Sequence, residues 1–316
     1  MEVSVPYRKT ESKTLDKGPA RSRWLVSNIG PQYEPDDQFK AAARLHQSAY
    51  RANVLKVGFD QYGNRLTESA GRVLLNYYDG LGVRDALRRR YPTYSRSRDA
   101  DMLRSEHIPF NLFAPLIDRP DLANSLLYRI LGVELSPPYQ IELEWAPKPA
   151  EKYLGDRTSF DTYIKGADDQ GRVVGVGIEV KYTEQGYRLG PSEALRIENP
   201  ESTYWTTTRE SGIFTDTGCK LLATDDLRQI WRNHLLGLKM RAVGDLDRFI
   251  SVTIFPSGNE HMSHALSRYQ DLLTNEGKSD LQSCTFERYI GFLDGDAAIE
   301  EWKSFLQDRY LVKGPV

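Results

Sequence analysis

The segment from Gly175 to Tyr182 constrains this chain more than any other, because it reads as a strand that is apolar except for Glu179 and Lys181. Charged groups in an apolar strand lose hydration, and only a partner offsets that cost. A Gly-bounded turn, Gly166 to Gly171, precedes the strand, and the strand before it carries Asp161. If the turn centres near Asp169 and Gln170, Asp161 falls roughly opposite Ile178 and Glu179. Strand side chains alternate between faces. Gly177, Glu179 and Lys181 therefore project together, while Asp161, Tyr163 and Lys165 share a face opposite to Phe160, Thr162 and Ile164. Where the two charged faces coincide, two carboxylates and one ammonium converge on a concave patch of twisted sheet. A slip of one residue would part them.

A divalent metal together with a phosphate would partner all three groups at once. Mg²⁺ is a hard octahedral ion that keeps several waters and takes one or two protein carboxylates plus phosphate oxygens. Two acids and a lysine are therefore sufficient. Such an ion lowers the pKa of bound water and clamps a phosphate, and a second ion would stabilise the leaving oxygen. The lysine either acts as a base with a depressed pKa or stays a cation facing the transition state. The plainer alternative is an ordinary cross-strand ion pair between Asp161 and Lys181, with Glu179 on a solvated face.

The order Asp161, then Glu179-Val180-Lys181, resembles the motif of the PD-(D/E)XK nuclease superfamily: an acid, a variable gap, then Asp or Glu, any residue, and Lys. Three flanking segments strengthen the likeness: Ser105-Glu106-His107-Ile108-Pro109-Phe110-Asn111, Asp156-Arg157-Thr158-Ser159-Phe160-Asp161, and Arg228-Gln229-Ile230-Trp231-Arg232-Asn233-His234. Together they resemble a branch of bacterial restriction endonucleases over residues 100 to 290. The resemblance implies an α/β fold with a mixed sheet and an αβββαβ core. It implies Mg²⁺ (or Mn²⁺ in its place) held by Asp161 and Glu179, with the Val180 carbonyl as a further ligand, and Lys181 acting on the attacking water and the phosphate. It further implies that Glu106 completes the metal site and that Gln229 belongs to the catalytic set. The long gap between Lys181 and Gln229 departs from the family pattern.

Several of these residues have a structural explanation as well. Glu106 sits in a first helical turn behind a Ser105 N-cap, where an acid is favoured by the helix dipole. Gln229 and Asn233, one turn apart, flank the apolar stripe of Leu227, Ile230, Trp231, Leu235 and Leu238 on a helix expected over Thr224–Met240. His107 and His234 have no zinc-spaced partner and read as structural histidines. Glu142 and Glu144 alternate with Ile141, Leu143 and Trp145, which puts both on an exposed strand face, with Glu144 as an alternative cleft residue.

At 316 residues with 40% apolar content, the chain can bury a large core. No window approaches a membrane span, and Met1 to Lys17 lacks a signal-peptide apolar run. Two cysteines, Cys219 and Cys284, make neither a disulfide framework nor a metal cluster and suit a cytoplasmic protein. A net charge of −2 gives no global attraction to nucleic acid, so polyanion binding must be local. Arg88, Arg89, Arg90, Arg96 and Arg98, interleaved with Tyr91 and Tyr94, form one candidate patch, to which Arg232 and Asn233 are added. A solvated helix end followed by a polar loop accounts for the same residues.

The expected organisation is a flexible arm over 1–35, a helical basic substrate-binding region over 36–100, and a catalytic domain over 101–316 with an insert at 183–222 that could cover the cleft. Helices are expected over Asp37–Leu55, Glu68–Tyr91, Ser105–Leu116, Asp121–Leu131, His261–Leu273 and Ala297–Tyr310, with strands near Gln140–Trp145, Ser159–Lys165, Val174–Tyr182, Phe249–Phe255 and Thr285–Leu293. The functional expectation is a Mg²⁺-dependent endonuclease acting on DNA in restriction, defence or repair. A homodimer, a partner methyltransferase and other defence components stay open as partners. One rival is a non-catalytic nucleic-acid-binding or assembly component that retains the nuclease fold. Another is a glycosidase using Asp161 and Glu179, which would leave Lys181 idle.

Overall fold

A computed structural model describes residues 28–132 and 134–312. Residues 1–27 of the expected arm lie outside them. Residues 28–35 are held: Arg51 donates to the carbonyls of Asn28 and Ile29, and Gly63 N–H donates to Pro31 at 2.9 Å.

Among the described residues, seven strands build two sheets. The smaller is a hairpin of β1 (Phe59–Asp60) and β2 (Tyr62–Leu66). The larger contains β3 (Ser136–Trp145), β4 (Phe160–Ala167), β5 (Val173–Val180), β6 (Arg248–Phe255) and β7 (Leu281–Thr285), hydrogen-bonded in that order. β3, β4 and β5 pair antiparallel, whereas β5, β6 and β7 pair parallel. The helix Pro120–Leu131 stops at Gly132, where φ is +65°. It is followed by three strands, then helix Arg228–Ala242, then β6, so the expected αβββαβ order holds.

The hairpin register follows from its turn. Asp168 accepts the N–H groups of Gln170 and Arg172 at 3.0 and 2.9 Å, and Gly171 takes φ +72°. Tyr163 then pairs with Gly177 and Thr162 with Ile178, which carries Asp161 to the level of Glu179. Alternation sends Ile164, Val176, Ile178, Ile250 and Val252 into one cluster with the amino-terminal helices and the last helix. Tyr163 and Phe249 enter a second cluster beneath helix Arg228–Ala242. Phe160 departs from strict alternation: its ring joins Tyr163 and Phe249 over Gly177. The neighbouring strand is distorted at that point by Glu144, whose φ is +52°.

Two expected elements are corrected. Thr285–Leu293 is not a strand; β7 ends at Thr285, and a helix runs Phe286–Phe292. Phe286, Tyr289, Ile290 and Leu293 recur at helical spacing, and the Thr285 hydroxyl caps the helix by accepting Arg288 N–H at 3.3 Å. The expected helix Glu68–Tyr91 is broken into Glu68–Arg72 and Val83–Arg90. Leu74, Leu81 and Gly82 lie in left-handed backbone between the two, which a right-handed helix cannot continue.

Candidate active site

The carboxyl end of β5 carries Glu179 and Lys181 under the start of helix Arg228–Ala242, hereafter the covering helix. Both residues are almost fully buried, at 7% and 8% exposure. Lys181 Nζ donates to Glu179 Oε1 at 2.5 Å. Gln229 donates its amide to the same oxygen, and Asn233 donates to Oε2. Three donors from two elements therefore fix one carboxylate.

Why the covering helix comes so close is visible in its sequence. Gln229, Asn233 and Gly237 stand four residues apart and share one face. A Cβ at Gly237 would sit 2.2 Å from the Phe249 ring, and one at Gly177 would sit 2.5 Å from Phe160. Glycine at both places lets helix and sheet approach until the two amides reach Glu179. The apolar stripe expected on this helix (Leu227, Ile230, Trp231, Leu235, Leu238) is buried as a set.

Asp161 is half-buried, and its Oδ2 accepts Val180 N–H at 2.7 Å. Burial, then the charges of Glu179 and Glu144, push its pKa well above the ordinary carboxylate value, against the opposing pull of Lys181 and the Val180 N–H. Burial also works to lower the Lys181 pKa, yet the charges of Glu179 and Asp161 outweigh it and raise the value. Without metal, Lys181 is therefore an ammonium.

Glu144 is the residue the sequence undervalued. Its left-handed backbone turns it out of the simple alternation of β3. Tyr91 Oη donates to its carboxylate at 3.2 Å, and the Arg90 guanidinium donates to its carbonyl at 2.7 Å. Burial and then the charge of Glu179 push its pKa up to about 7. It stands with Asp161 and Glu179 in one field of like charge. Glu184 was missed altogether. Its carboxylate accepts Tyr182 N–H at 2.8 Å and Ser105 N–H at 2.9 Å, so it pins the end of β5 to the segment before Glu106. The only signal was an acid three residues beyond Lys181.

Glu106 pairs with Arg104 at 2.7 Å, and its charge acts on Glu144. Ser105 gives up its N–H to Glu184 and does not cap by its hydroxyl. Among the described residues, no three His, Cys, Asp or Glu side chains form a preformed metal cage. The donor set still fits a hard divalent cation: the crowded acids that raise the pKa of Asp161 and Glu144 carry the charge that such an ion neutralises.

The candidate nucleic-acid contacts separate into kinds. Arg88 and Arg89 are exposed, the former paired with Asp85 at 3.1 Å. Arg90 reaches the Glu144 carbonyl, and Arg96 pairs with Asp60. Arg98 is buried: it bonds Asp99 at 2.8 Å and lies 4.2 Å from the Tyr91 ring centre, so it holds its loop together. Arg232 binds Tyr187 Oη at 2.6 Å, Thr158 at 2.8 Å and Glu193 at 3.0 Å, which ties the 183–222 insert to the core. Asn233 is turned inward onto Glu179. Arg98, Arg232 and Asn233 therefore have internal partners, adjacent in sequence for Arg98 and distant for Arg232 and Asn233. The insert packs Tyr204 and Trp205 against Trp231, and its Gln185 and Gly186 line the same recess as Glu179 and Lys181. His107 and His234 are buried among aromatic rings, and burial drives His234 down to about 3.

A family model described as the PD-(D/E)XK nuclease superfamily matches residues 34–312, and the chain belongs to that superfamily. Its members usually hydrolyse phosphodiester bonds and generally depend on a divalent metal. No curated protein and no solved structure matches the chain. No helix among the described residues is long and apolar enough to cross a membrane.

Proposed function

We propose that the protein is an endonuclease that hydrolyses phosphodiester bonds in DNA with a bound divalent cation, Mg²⁺ or Mn²⁺, in the cytoplasm. The observation that carries this reading is Glu179, buried beside Asp161 and held by Lys181, Gln229 and Asn233. A merely structural ion pair needs no such convergence of donors and like-charged acids.

In this reading Asp161, Glu179 and the Val180 carbonyl hold the cation, and Glu106 and Glu144 lie on its acidic side. The bound ion supplies an activated water and screens charge on the phosphate. Lys181, already an ammonium, donates to the phosphate oxygen that gains charge in the transition state. Gln229 and Asn233 keep Glu179 oriented. Exposed Arg88 and Arg89, with Arg90 beside Glu144, contact the phosphate backbone.

Purified protein should nick or linearise plasmid DNA with Mg²⁺ or Mn²⁺ and lose this in EDTA. Glu179→Ala and Lys181→Ala should each remove cleavage with the circular dichroism spectrum unchanged. Cleavage that survives both substitutions rules the mechanism out. Salt-sensitive DNA binding with no metal-dependent turnover under any condition would favour the non-catalytic alternative.

A further inference from the structure

The β1–β2 hairpin and the short helix Arg96–Ala100 enclose a half-open cavity of about 320 Å³. Asp60, Arg65, Arg96, Asp101 and Arg104 supply its charged lining, Ser97 adds a hydroxyl, and Leu66 with Ala100 supplies apolar surface. The polar lining therefore holds three guanidinium groups and two carboxylates. Arg65 lies 3.3 Å from Asp101, Arg96 pairs with Asp60, and Arg104 pairs with Glu106 at 2.7 Å. A guanidinium carries five N–H donors, more than one carboxylate takes up.

The lining is held in place. Asp101 accepts Asn64 Nδ2 at 2.8 Å and Leu103 N–H at 3.2 Å, and Asn64 in turn accepts the Arg44 guanidinium at 2.6 Å. The cavity also adjoins the acid site through the chain itself. Ser105, the residue after Arg104, donates its N–H to Glu184, whose other oxygen accepts the N–H of Tyr182, next to Lys181.

Charge composition decides the ligand class. A groove for bare phosphate is best served by cations alone, since carboxylates at its wall would repel the phosphate. Here two carboxylates alternate with the arginines, which suits a group that both accepts and donates. Guanine offers both on adjoining edges: O6 and N7 accept from arginine, and N1–H and N2–H donate to a carboxylate. The cavity is large enough for one base with part of its sugar.

We propose that this cavity receives a guanine turned out of the substrate strand beside the scissile phosphate, with Arg96 on O6 and N7 and Asp60 on N1–H and N2–H. The proposal rests on the nuclease reading for its substrate, and unstacked bases are read in this way by hydrogen bonds to their edges.

The test is equilibrium binding of dGMP, dAMP, dCMP and dTMP to the full chain in EDTA, with inorganic phosphate as competitor. dGMP should bind at least about tenfold more tightly than the other three. Asp60→Asn at a half-buried position and Arg96→Ala at an exposed one should each erase that preference while circular dichroism confirms the fold. Equal binding of all four nucleotides, no binding up to about 10 mM, or a preference that both variants retain overturns the proposal, as does phosphate competing as strongly as dGMP. Because this readout needs no turnover, it separates the two claims. Selective dGMP binding without cleavage sinks the nuclease reading alone, and metal-dependent cleavage without dGMP selectivity sinks the pocket alone.

Discussion

Glu179 has a donor on each oxygen, and two of its three donors come from a helix, 50 and 54 residues further along the chain. Removing one leaves a buried carboxylate oxygen under-satisfied and free to turn. Gln229→Ala and Asn233→Ala should therefore each weaken Mn²⁺ binding by about 10–100-fold, measured by titration calorimetry. Unchanged affinity in both would remove them from the site. Glu144 makes a separate prediction. Its folded-state pKa is raised to about 7, so the folded protein holds a proton there that the unfolded chain has already lost. Stability from this group is present at low pH and declines as pH rises through about 7. The melting temperature of metal-free protein should fall over that rise, and Glu144→Gln should flatten the slope. A slope unaltered by Glu144→Gln would place its origin elsewhere. Asp161, Glu179 and Lys181 were legible because charge inside an apolar strand is conspicuous. Glu144 was hidden because Ile141, Leu143 and Trp145 make a regular alternation, and only the backbone angle sets Glu144 apart. The internal partners of Arg232 were equally invisible, since a cation gives no sign in sequence of which distant acid it will meet.

Among the elements, the covering helix decides whether the site forms. Gly237→Ala places a methyl 2.2 Å from the buried Phe249 ring, so helix or ring must shift. We expect a loss of about 1–3 kcal/mol in chemical denaturation, with weaker Mn²⁺ binding as the amides retreat from Glu179. Full stability together with full affinity would show that the close approach is not required. The helix itself was readable from its apolar stripe, as were the hairpin register and the order of the core. Where the sequence misled, a short element was at fault. Phe286, Tyr289, Ile290 and Leu293 fit a helix as well as a strand over so few residues, and the Thr285 cap settled the choice. The break between Arg72 and Val83 needed left-handed residues at Leu74 and Leu81 that nothing in their type announces.

Across the whole molecule, the last helix, Ala297–Tyr310, binds the amino-terminal region to the sheet. Trp302 Nε1 donates to the Asn111 carbonyl at 2.8 Å, and Asn111 Nδ2 donates to Tyr310 Oη at 2.6 Å. Gln47 spans from the Arg309 carbonyl to Tyr182 Oη, both at 2.7 Å. One apolar cluster runs from Ala43 to Tyr310. Trp302→Ala should cost about 3–5 kcal/mol and lower the single unfolding midpoint of both regions. A separate early transition of residues 36–100 in hydrogen exchange would show instead that they fold independently.

The parallel pairing of β5 with β6 carries one more consequence. Glu179 and Lys181 leave the ribosome well before Gln229, Asn233 and β6, and non-local pairings of this kind form late. A growing chain thus exposes its acids and lysine without the roof that aligns them. Under the proposed reading, the arrangement that would cut is complete only when the later half of the polypeptide arrives.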